Sequence, residues 1–362
     1  MRIANVVGAR PNFMKMAPVI AEMRRRGLSQ ELIHTGQHYD ANISEVFFRE
    51  LGLPEPDVYL GIGSDSQARQ TARIMMALEE VWLKRRPALV VVAGDVNSTL
   101  AAALVAAKLT IPVAHVEAGL RSFDRTMPEE INRVVTDRLS ELLFTTEESA
   151  NENLRAEGTP PEQIHFAGNC MIDTLERHLE AAVARRPWQQ FGLEPGGYAL
   201  VTLHRPSNVD QPATLAALVA VLNELSTRLP MLFPVHPRTE KRLSEYGIAT
   251  APALRLCEPL PYLAFLGLMA KARCVLTDSG GIQEETTALG VPCLTLRRNT
   301  ERPVTVTHGT NRLVGSDPAA IRAAFETVLK EGPRQVLRPP LWDGAASRRI
   351  VDVIETWAAS RR

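Results

Sequence analysis

The chain has 362 residues, of which 45% are hydrophobic and 23% are charged, and its 41 basic residues balance its 41 acidic ones. This length predicts two domains, and the zero net charge argues against a nucleic-acid-binding surface or a polybasic membrane anchor. The four widely spaced cysteines indicate neither a zinc site nor a disulfide framework. No apolar run approaches the ~18 residues that span a membrane, and no leader precedes the first strand, so we expect a cytoplasmic protein without a membrane partner.

The first half of the chain alternates between short apolar runs and amphipathic segments. Strands are predicted at residues 2–7, 31–35, 89–93, 113–116, 142–145 and 164–167, with helices between them. This alternation predicts an open parallel sheet with helices on both faces. Such sheets bind ligands beyond the carboxyl ends of their strands. The residues that follow those ends are therefore expected on one rim: residues 8–10, His38, Asp95, Glu117 and Glu129.

The second half repeats this plan after a connecting segment at 168–197. Strands are predicted at residues 198–202, 231–234, 255–256, 274–277, 293–296 and 310–314, again with helices between them. A final helix at 345–360 is expected to pack on the first domain. The sequence therefore predicts two doubly wound, Rossmann-like α/β domains that face each other across a cleft: residues 1–169 joined by 346–362, and residues 170–345.

Ser279, Gly280 and Gly281 separate a predicted strand from a predicted helix. Backbone N–H groups at a helix start lack intrahelical partners and lie at the positive end of the helix dipole, which favours a phosphate. The structural alternative is a helix capped by Ser279. Glu285 follows closely, and one carboxylate suits the two vicinal hydroxyls of a ribose. Arg10 and Lys15 also flank a helix start, where they would favour an anion or would simply be solvated.

Three carboxylates lie on the expected rim of the first domain, and each has a structural alternative. The structural alternative for Asp95 is to cap the next helix, and the alternative for Glu129 is to compensate the dipole of the helix in which it lies. Glu117 ends a buried strand, where a purely structural carboxylate is costly unless it is paired. His204 and His236 follow strands of the second domain and would otherwise be loop histidines. Acids opposite an anion clamp suit a nucleotide-sugar, because they can move protons and stabilise positive charge at an anomeric carbon.

Two common classes of nucleotide-binding enzyme lack their motifs here. No predicted strand is followed by Gly-x-Gly-x-x-Gly, and neither a Walker A sequence nor His-Glu-x-x-His occurs. The sequence therefore argues against a Rossmann oxidoreductase or a P-loop enzyme.

A series of short motifs occurs in order along almost the whole chain: Gly8-Ala9-Arg10-Pro11 with Lys15-Met16-Ala17-Pro18, Thr35-Gly36-Gln37-His38, Gly94-Asp95, His115-Val116-Glu117-Ala118-Gly119-Leu120-Arg121, Pro128-Glu129-Glu130-x-Asn132-Arg133, Gly168-Asn169, Thr202-x-His204-Arg205, residues 278–285 and Thr300-Glu301-Arg302-Pro303. In this ordered set the chain resembles the non-hydrolysing UDP-N-acetylglucosamine 2-epimerases. The resemblance implies a GT-B fold, a homodimer, a UDP-sugar substrate and no added cofactor or metal.

The resemblance also implies a reaction and a set of residues for it. UDP-GlcNAc and UDP-ManNAc would be interconverted by elimination of UDP to 2-acetamidoglucal and its re-addition. The catalytic residues would be Asp95, Glu117, Glu129 and His204. The residues in contact with UDP would be Arg10, Lys15, His236, Ser279, Gly280, Gly281, Glu285 and Arg302, while Arg133 would orient the carboxylate loop.

Four alternatives remain open at this point. A hydrolysing relative would release ManNAc and UDP, and another epimerase would act on a different 2-acetamido sugar nucleotide. A GT-B glycosyltransferase would need an acceptor site and gives no reason for three carboxylates on one rim. A non-catalytic regulator would bind the UDP-sugar without exchanging its C2 proton.

The sequence departs from the family pattern at Asn12 and at Val304. It also departs in two further regions, after Gln37-His38, where Tyr39-Asp40 stands, and after His204-Arg205, where Pro206-Ser207 stands. In several bacterial members of the family these regions bind a second UDP-GlcNAc, which activates the enzyme. We therefore predict weak or altered activation here. Turnover of UDP-ManNAc alone should be hyperbolic and without a lag, and strict dependence on added UDP-GlcNAc would contradict this.

Overall fold

The structure is a computed structural model that describes residues 1–37, 41–331 and 338–361, with the backbone alone for residues 41–45. The chain divides into two compact units, Met1–Thr174 with Pro340–Arg362, and Leu175–Pro339. None of the described helices is both long and apolar enough to cross a membrane.

The first unit is built on a parallel sheet of seven described strands in the order β3-β2-β1-β4-β5-β6-β7. The strands are β1 (Ile3–Val7), β2 (Gln30–His34), β3 (Val58–Tyr59), β4 (Leu89–Ala93), β5 (Val113–Ala118), β6 (Leu142–Thr145) and β7 (Ile164–Phe166). The helices between them are α1 (Arg10–Arg25), α2 (Ala41–Leu51), α3 (Gln67–Lys84), α4 (Asn97–Lys108), α5 (Pro128–Leu139) and α6 (Glu148–Ala156). The strand order reverses between β1 and β4, so the turns after these two strands flank the switch point where such sheets bind ligands.

The second unit repeats this design on a parallel sheet of six described strands in the order β10-β9-β8-β11-β12-β13. Its helices and strands follow α7 (Cys170–Ala184), within which the chain passes from one unit to the other. The strands are β8 (Ala199–Thr202), β9 (Met231–Pro234), β10 (Leu254–Cys257), β11 (Cys274–Thr277), β12 (Cys293–Thr295) and β13 (Asn311–Leu313). The helices are α8 (Pro206–Val209), α9 (Pro212–Ser226), α10 (Pro237–Glu245), α11 (Tyr262–Lys271), α12 (Gly280–Leu289), α13 (Val304–Thr307) and α14 (Pro318–Lys330). Here the strand order reverses between β8 and β11.

The last helix, α15 (Ala346–Ala359), belongs to the first unit. Its start is capped from outside the helix, because the backbone N–H groups of Ala346 and Ser347 donate to the carboxylate of Asp173 at 3.1 and 2.7 Å. Arg26 at the end of α1 pairs with Asp352 at 2.6 Å. These contacts bring the end of the chain back to the unit in which it begins.

The predicted doubly wound α/β architecture is confirmed, and its differences from the prediction are local. β3 was not predicted because it contributes only two residues, which is too short for a pattern to be read. α10 was not predicted because its sequence is mostly charged and buries only Thr239 and Leu243. β5 extends two residues beyond its predicted end, through an irregularity that carries Glu117.

Candidate active site

Glu117 lies in a β-bulge near the end of β5. Val116 and Ala118 pair with neighbouring residues of β6, and Glu117 between them has a φ of +71°. This left-handed conformation is rare for a residue with a long side chain, and such strain is typical of functional sites. The bulge directs the carboxylate onto Lys15 of α1, whose Nζ lies 2.7 Å from Oε1.

The ion pair between Lys15 and Glu117 is buried, with side chains 5% and 3% exposed. Gly94 makes room for it, since a Cβ at Gly94 would lie 2.8 Å from Lys15 Nζ and 3.8 Å from Glu117 Oε1. The buried carboxylate therefore has the charged partner that its position requires. The structure pairs Lys15 with the carboxylate of Glu117. A contact between Lys15 and UDP remains a prediction.

Asp95 follows the Gly94 turn and is held by Arg133. The two side chains approach to 2.8 Å, with Asp95 19% exposed and Arg133 2% exposed. Asp95 does not occupy the N-cap position of α4, because this helix begins at Asn97 after Val96. The carboxylate is thus partly open to solvent and turned toward Arg133.

Glu130 connects Arg133 to the loop before α5. Its carboxylate lies 2.9 Å from Arg133 and accepts hydrogen bonds from the backbone N–H groups of Ser122 and Phe123, both at 2.9 Å. Arg133 thus joins Asp95 to this loop, and its orienting role in catalysis remains a prediction. Glu129, the neighbouring residue in the first turn of α5, is only partly buried.

Arg10 is the first residue of α1, which begins three residues earlier than predicted. Its guanidinium lies over the ring of Phe47, 5.1 Å from the centroid. The turn before the helix needs Gly8, because a Cβ there would lie 2.1 Å from Ser98 Oγ. His38, which was expected on the same rim, lies outside the described residues.

In the second unit, His204 and Asp278 form a dyad at the ends of β8 and β11. His204 Nδ1 lies 3.0 Å from Oδ1 of Asp278, and the side chains are 36% and 0% exposed. Burial opposes ionisation of Asp278, but the charge of His204 and hydrogen bonds from His204, Arg205 and Asn208 hold the pKa of Asp278 below its usual value. The buried carboxylate therefore orients the imidazole of His204 through Nδ1.

His236 lies beside this dyad, with its ring centroid 5.9 Å from that of His204. It also occupies the N-cap position of α10, where its Nδ1 accepts a hydrogen bond from the backbone N–H of Arg238 at 3.2 Å. One nitrogen of His236 therefore has a structural role.

The glycine turn opens α12, as the residue pattern predicts. Ser279 occupies the N-cap position without a side-chain cap, so capping by its hydroxyl is not the reason for the turn. A Cβ on Gly280 would lie 2.5 Å from Nη1 of Arg302. The absence of a side chain at Gly280 therefore allows the guanidinium of Arg302 to reach the first turn of the helix. A cation and backbone N–H groups at one helix start are features that favour an anion, and the contact of this turn with a phosphate remains a prediction.

Arg302 is held in place by buried carboxylates. Its Nε lies 3.0 Å from Glu284, and its Nη1 lies 2.5 Å from Glu301. Glu301 in turn pairs with Arg297 at 2.8 Å. This chain of alternating charges fixes a guanidinium that would otherwise be costly to bury.

Glu285 is 4% exposed, and the hydroxyl of Tyr262 donates a hydrogen bond to its Oε1 at 3.0 Å. Burial is the main cause that raises the pKa of Glu285 to about 8; Tyr262 opposes this rise and Glu284 adds to it. The carboxyl is therefore protonated at neutral pH in this structure.

This raised pKa predicts how the stability of the second unit depends on pH. Between the ordinary value of 4.5 and about 8, folded Glu285 keeps a proton that the unfolded chain has lost. Stability from this group is therefore full below 4.5 and falls as the pH rises to about 8, by roughly 1.4 kcal/mol per pH unit at most. Urea denaturation from about pH 5 to pH 9 should show this slope, and Glu285→Gln should flatten it. Equal slopes in both proteins would contradict the assignment.

Comparison with known proteins identifies the family to which this chain belongs. The family model described as UDP-N-acetylglucosamine 2-epimerase matches residues 21–355. The chain belongs to the UDP-N-acetylglucosamine 2-epimerase family. A UDP-N-acetylglucosamine 2-epimerase of Methanococcus maripaludis is 43% identical over 362 residues, covering 98% of each chain. A UDP-2,3-diacetamido-2,3-dideoxy-D-glucuronate 2-epimerase of Pseudomonas aeruginosa is 42% identical, covering 98% of this chain and 99% of its own.

The fold of this family member is shared with solved structures. The crystal structure of the Methanocaldococcus jannaschii UDP-GlcNAc 2-epimerase in complex with UDP-GlcNAc and UDP has a TM-score of 0.93 and 42% identity, covering 98% of this chain and all of that one. Two parallel-sheet α/β units of this kind are GT-B-like, as the resemblance implied.

Several residues that contact the candidate site residues were not among the predicted site residues: Asp278, Glu130, Glu301 and Tyr262. The first three lie inside the motifs that carried the resemblance, which was a usable signal. Tyr262 lies in no motif, and only the fold brings its hydroxyl to Glu285.

Proposed function

We propose that the protein interconverts UDP-GlcNAc and UDP-ManNAc by inverting C2 of the sugar. The observation that carries this proposal is family membership at 43% identity over the whole chain, with the family's motifs at the strand ends. The C2 hydrogen of this sugar is not adjacent to a carbonyl, so direct removal of the proton is difficult. Elimination avoids this difficulty.

In the proposed elimination, the C1–O bond breaks and its electron pair leaves with the β-phosphate of UDP. A base removes the C2 proton, and a C1=C2 double bond forms in 2-acetamidoglucal. UDP then adds back to C1 while C2 receives a proton on the opposite face. Atoms and charges balance without any added cofactor.

The two units would supply different parts of this reaction. The N–H groups at Gly280 and Gly281, with Arg302, suit the diphosphate of UDP. Glu285 would meet the ribose hydroxyls, and Arg10, Lys15, His236 and Ser279 are proposed as further UDP contacts. Asp95, Glu117 and Glu129 would handle the C2 proton and the positive charge that develops at C1.

His204 would act as the acid–base group of the second unit, with its tautomer set by Asp278. Asp278→Asn should lower kcat by about 10²- to 10⁴-fold, because an amide does not stabilise the protonated imidazole. Steady-state kinetics and UDP calorimetry measure this, with a small change in UDP affinity expected. A wild-type kcat in this variant would exclude the dyad from the chemistry.

The choice of substrate is tested by incubating the protein separately with UDP-GlcNAc and with UDP-2,3-diacetamido-2,3-dideoxy-D-glucuronate and identifying the products by NMR. The second compound is included because the 42% identical relative from Pseudomonas aeruginosa is named for it. We expect UDP-ManNAc from the first. Free ManNAc with UDP would mean a hydrolysing enzyme, and turnover of the second compound alone would mean the other epimerase. Binding without any product would mean a regulator.

Homodimer formation and a cytoplasmic location stay predictions. Light scattering coupled to gel filtration tests the first: a mass near twice 39.9 kDa would support it, and a mass near 39.9 kDa would contradict it.

A further inference from the structure

His115 lies in β5, is fully buried, and contacts oxygen atoms with both of its ring nitrogens. Nδ1 lies 2.6 Å from Oδ1 of Asp137, and Nε2 lies 2.8 Å from the carbonyl oxygen of Gly94. A carbonyl oxygen can only accept a hydrogen bond, so Nε2 must carry a proton. The protonation of Nδ1 then depends on Asp137.

Asp137 of α5 is an ionised carboxylate. Its Oδ2 lies 2.7 Å from Nη1 of Arg121 and accepts a hydrogen bond from the backbone N–H of Gly119 at 3.1 Å. Burial opposes ionisation, but the pKa of Asp137 lies below its usual value, and the guanidinium of Arg121, which is always charged, favours the ionised form whatever the state of His115. An ionised carboxylate has no proton to donate, so Nδ1 of His115 donates as well.

The charges around the ring balance. Arg121 also pairs with Glu157 at 2.7 Å, so two cations face two carboxylates if His115 is protonated on both nitrogens. The Lys15–Glu117 pair beside Gly94 is balanced by itself. A buried imidazolium in this arrangement has both of its N–H groups satisfied and a counter-charge in contact.

The same two groups hold the two backbone turns that carry catalytic candidates. Gly94, with a φ of +66°, directly precedes Asp95, and its carbonyl is fixed by His115. Gly119, with a φ of +79°, follows Glu117 by two residues, and its N–H is fixed by Asp137. Contact between His115 and Asp137 therefore connects the Asp95 turn to the Glu117 turn.

We infer that His115, protonated on both ring nitrogens, and Asp137 form a positioning pair that sets the separation of Asp95 and Glu117. For the roles of Asp95 and Glu117 this inference rests on the proposed function. Neither His115 nor Asp137 needs to touch the substrate in this role.

The first test measures the protonation of the imidazole in the intact protein. Long-range 1H–15N NMR of ring-labelled histidine at about pH 8 should show protons on both ring nitrogens of His115. The signal should be absent in His115→Gln and should lose one proton in Asp137→Asn. A single ring proton on His115 in the wild type would overturn the inference.

The second test measures positioning. Asp137→Asn keeps an acceptor for Gly119 but removes the charge, so we expect kcat to fall roughly 10- to 100-fold with KM and UDP affinity unchanged. His165→Gln on β7, which is separated from β5 by β6, is the control and should keep the wild-type kcat. A wild-type kcat in Asp137→Asn would overturn the inference. If the wild-type protein shows no C2 exchange, the proposed function is wrong, but the protonation of His115 measured by NMR is unaffected.

Discussion

Replacing Asp95 with Asn is expected to slow C2 proton exchange by about 10²- to 10⁴-fold, because the variant loses a carboxylate that can move protons or stabilise a cation. Asn keeps a carbonyl oxygen that accepts a hydrogen bond from Arg133, which also retains Glu130 at 2.9 Å. Folding and UDP binding should therefore change little. Exchange is followed by NMR in D2O, and UDP binding by calorimetry.

A matched control for Asp95→Asn is Glu22→Gln in α1. Glu22 is also a carboxylate paired with an arginine, 2.8 Å from Arg26, and its 13% exposure is close to the 19% of Asp95. Glu22 lies away from the strand ends, so the Glu22→Gln variant should exchange the C2 proton at the wild-type rate. Near-wild-type exchange in Asp95→Asn would remove Asp95 from the catalytic set.

Replacing Lys15 with Met is expected to destabilise the first unit by about 3–5 kcal/mol, because Glu117 then stays buried without the ammonium that the structure pairs with it. The melting temperature should fall by roughly 10 °C. The double variant Lys15→Met/Glu117→Gln removes both charges, so it should recover part of this loss. Thermal and urea denaturation measure both effects.

An exposed ion pair gives the comparison. Arg322 and Glu224 lie 2.8 Å apart with side chains 43% and 53% exposed, so Arg322→Met should change stability little. If Lys15→Met has the same melting temperature as Arg322→Met, the buried ion pair does not stabilise the bulge at Glu117. If the double variant is as unstable as Lys15→Met, the loss does not come from the buried charge of Glu117.

The framework of the fold could be predicted from the sequence because buried parallel strands are unbroken apolar runs. Residues 89–93, 142–145 and 274–277 were predicted as strands and are β4, β6 and β11. Alternation with helices then predicted open parallel sheets and put the chemistry-bearing residues at strand ends, whereas the order of the strands was not predicted. Prediction failed where the pattern is too short, as in β3, or too polar, as in α10.

The contacts within the site depend on the folded chain rather than on local pattern. Lys15 and Glu117 are separated by 102 residues, and no periodicity predicts that they form an ion pair. The bulge that turns Glu117 toward Lys15 likewise cannot be predicted from the apolar sequence pattern of β5. His204 was singled out from its motif, but the buried Asp278 that orients it lies 74 residues away. The residue types were therefore predictable, and their partners were not.

Elimination and re-addition of UDP can be followed by incubating the protein with UDP-GlcNAc in D2O. We expect UDP-ManNAc with deuterium at C2, and deuterium at C2 of the recovered UDP-GlcNAc, both detected by NMR. UDP-ManNAc that retains the original C2 hydrogen would contradict elimination, and the absence of both exchange and product would contradict the proposed activity.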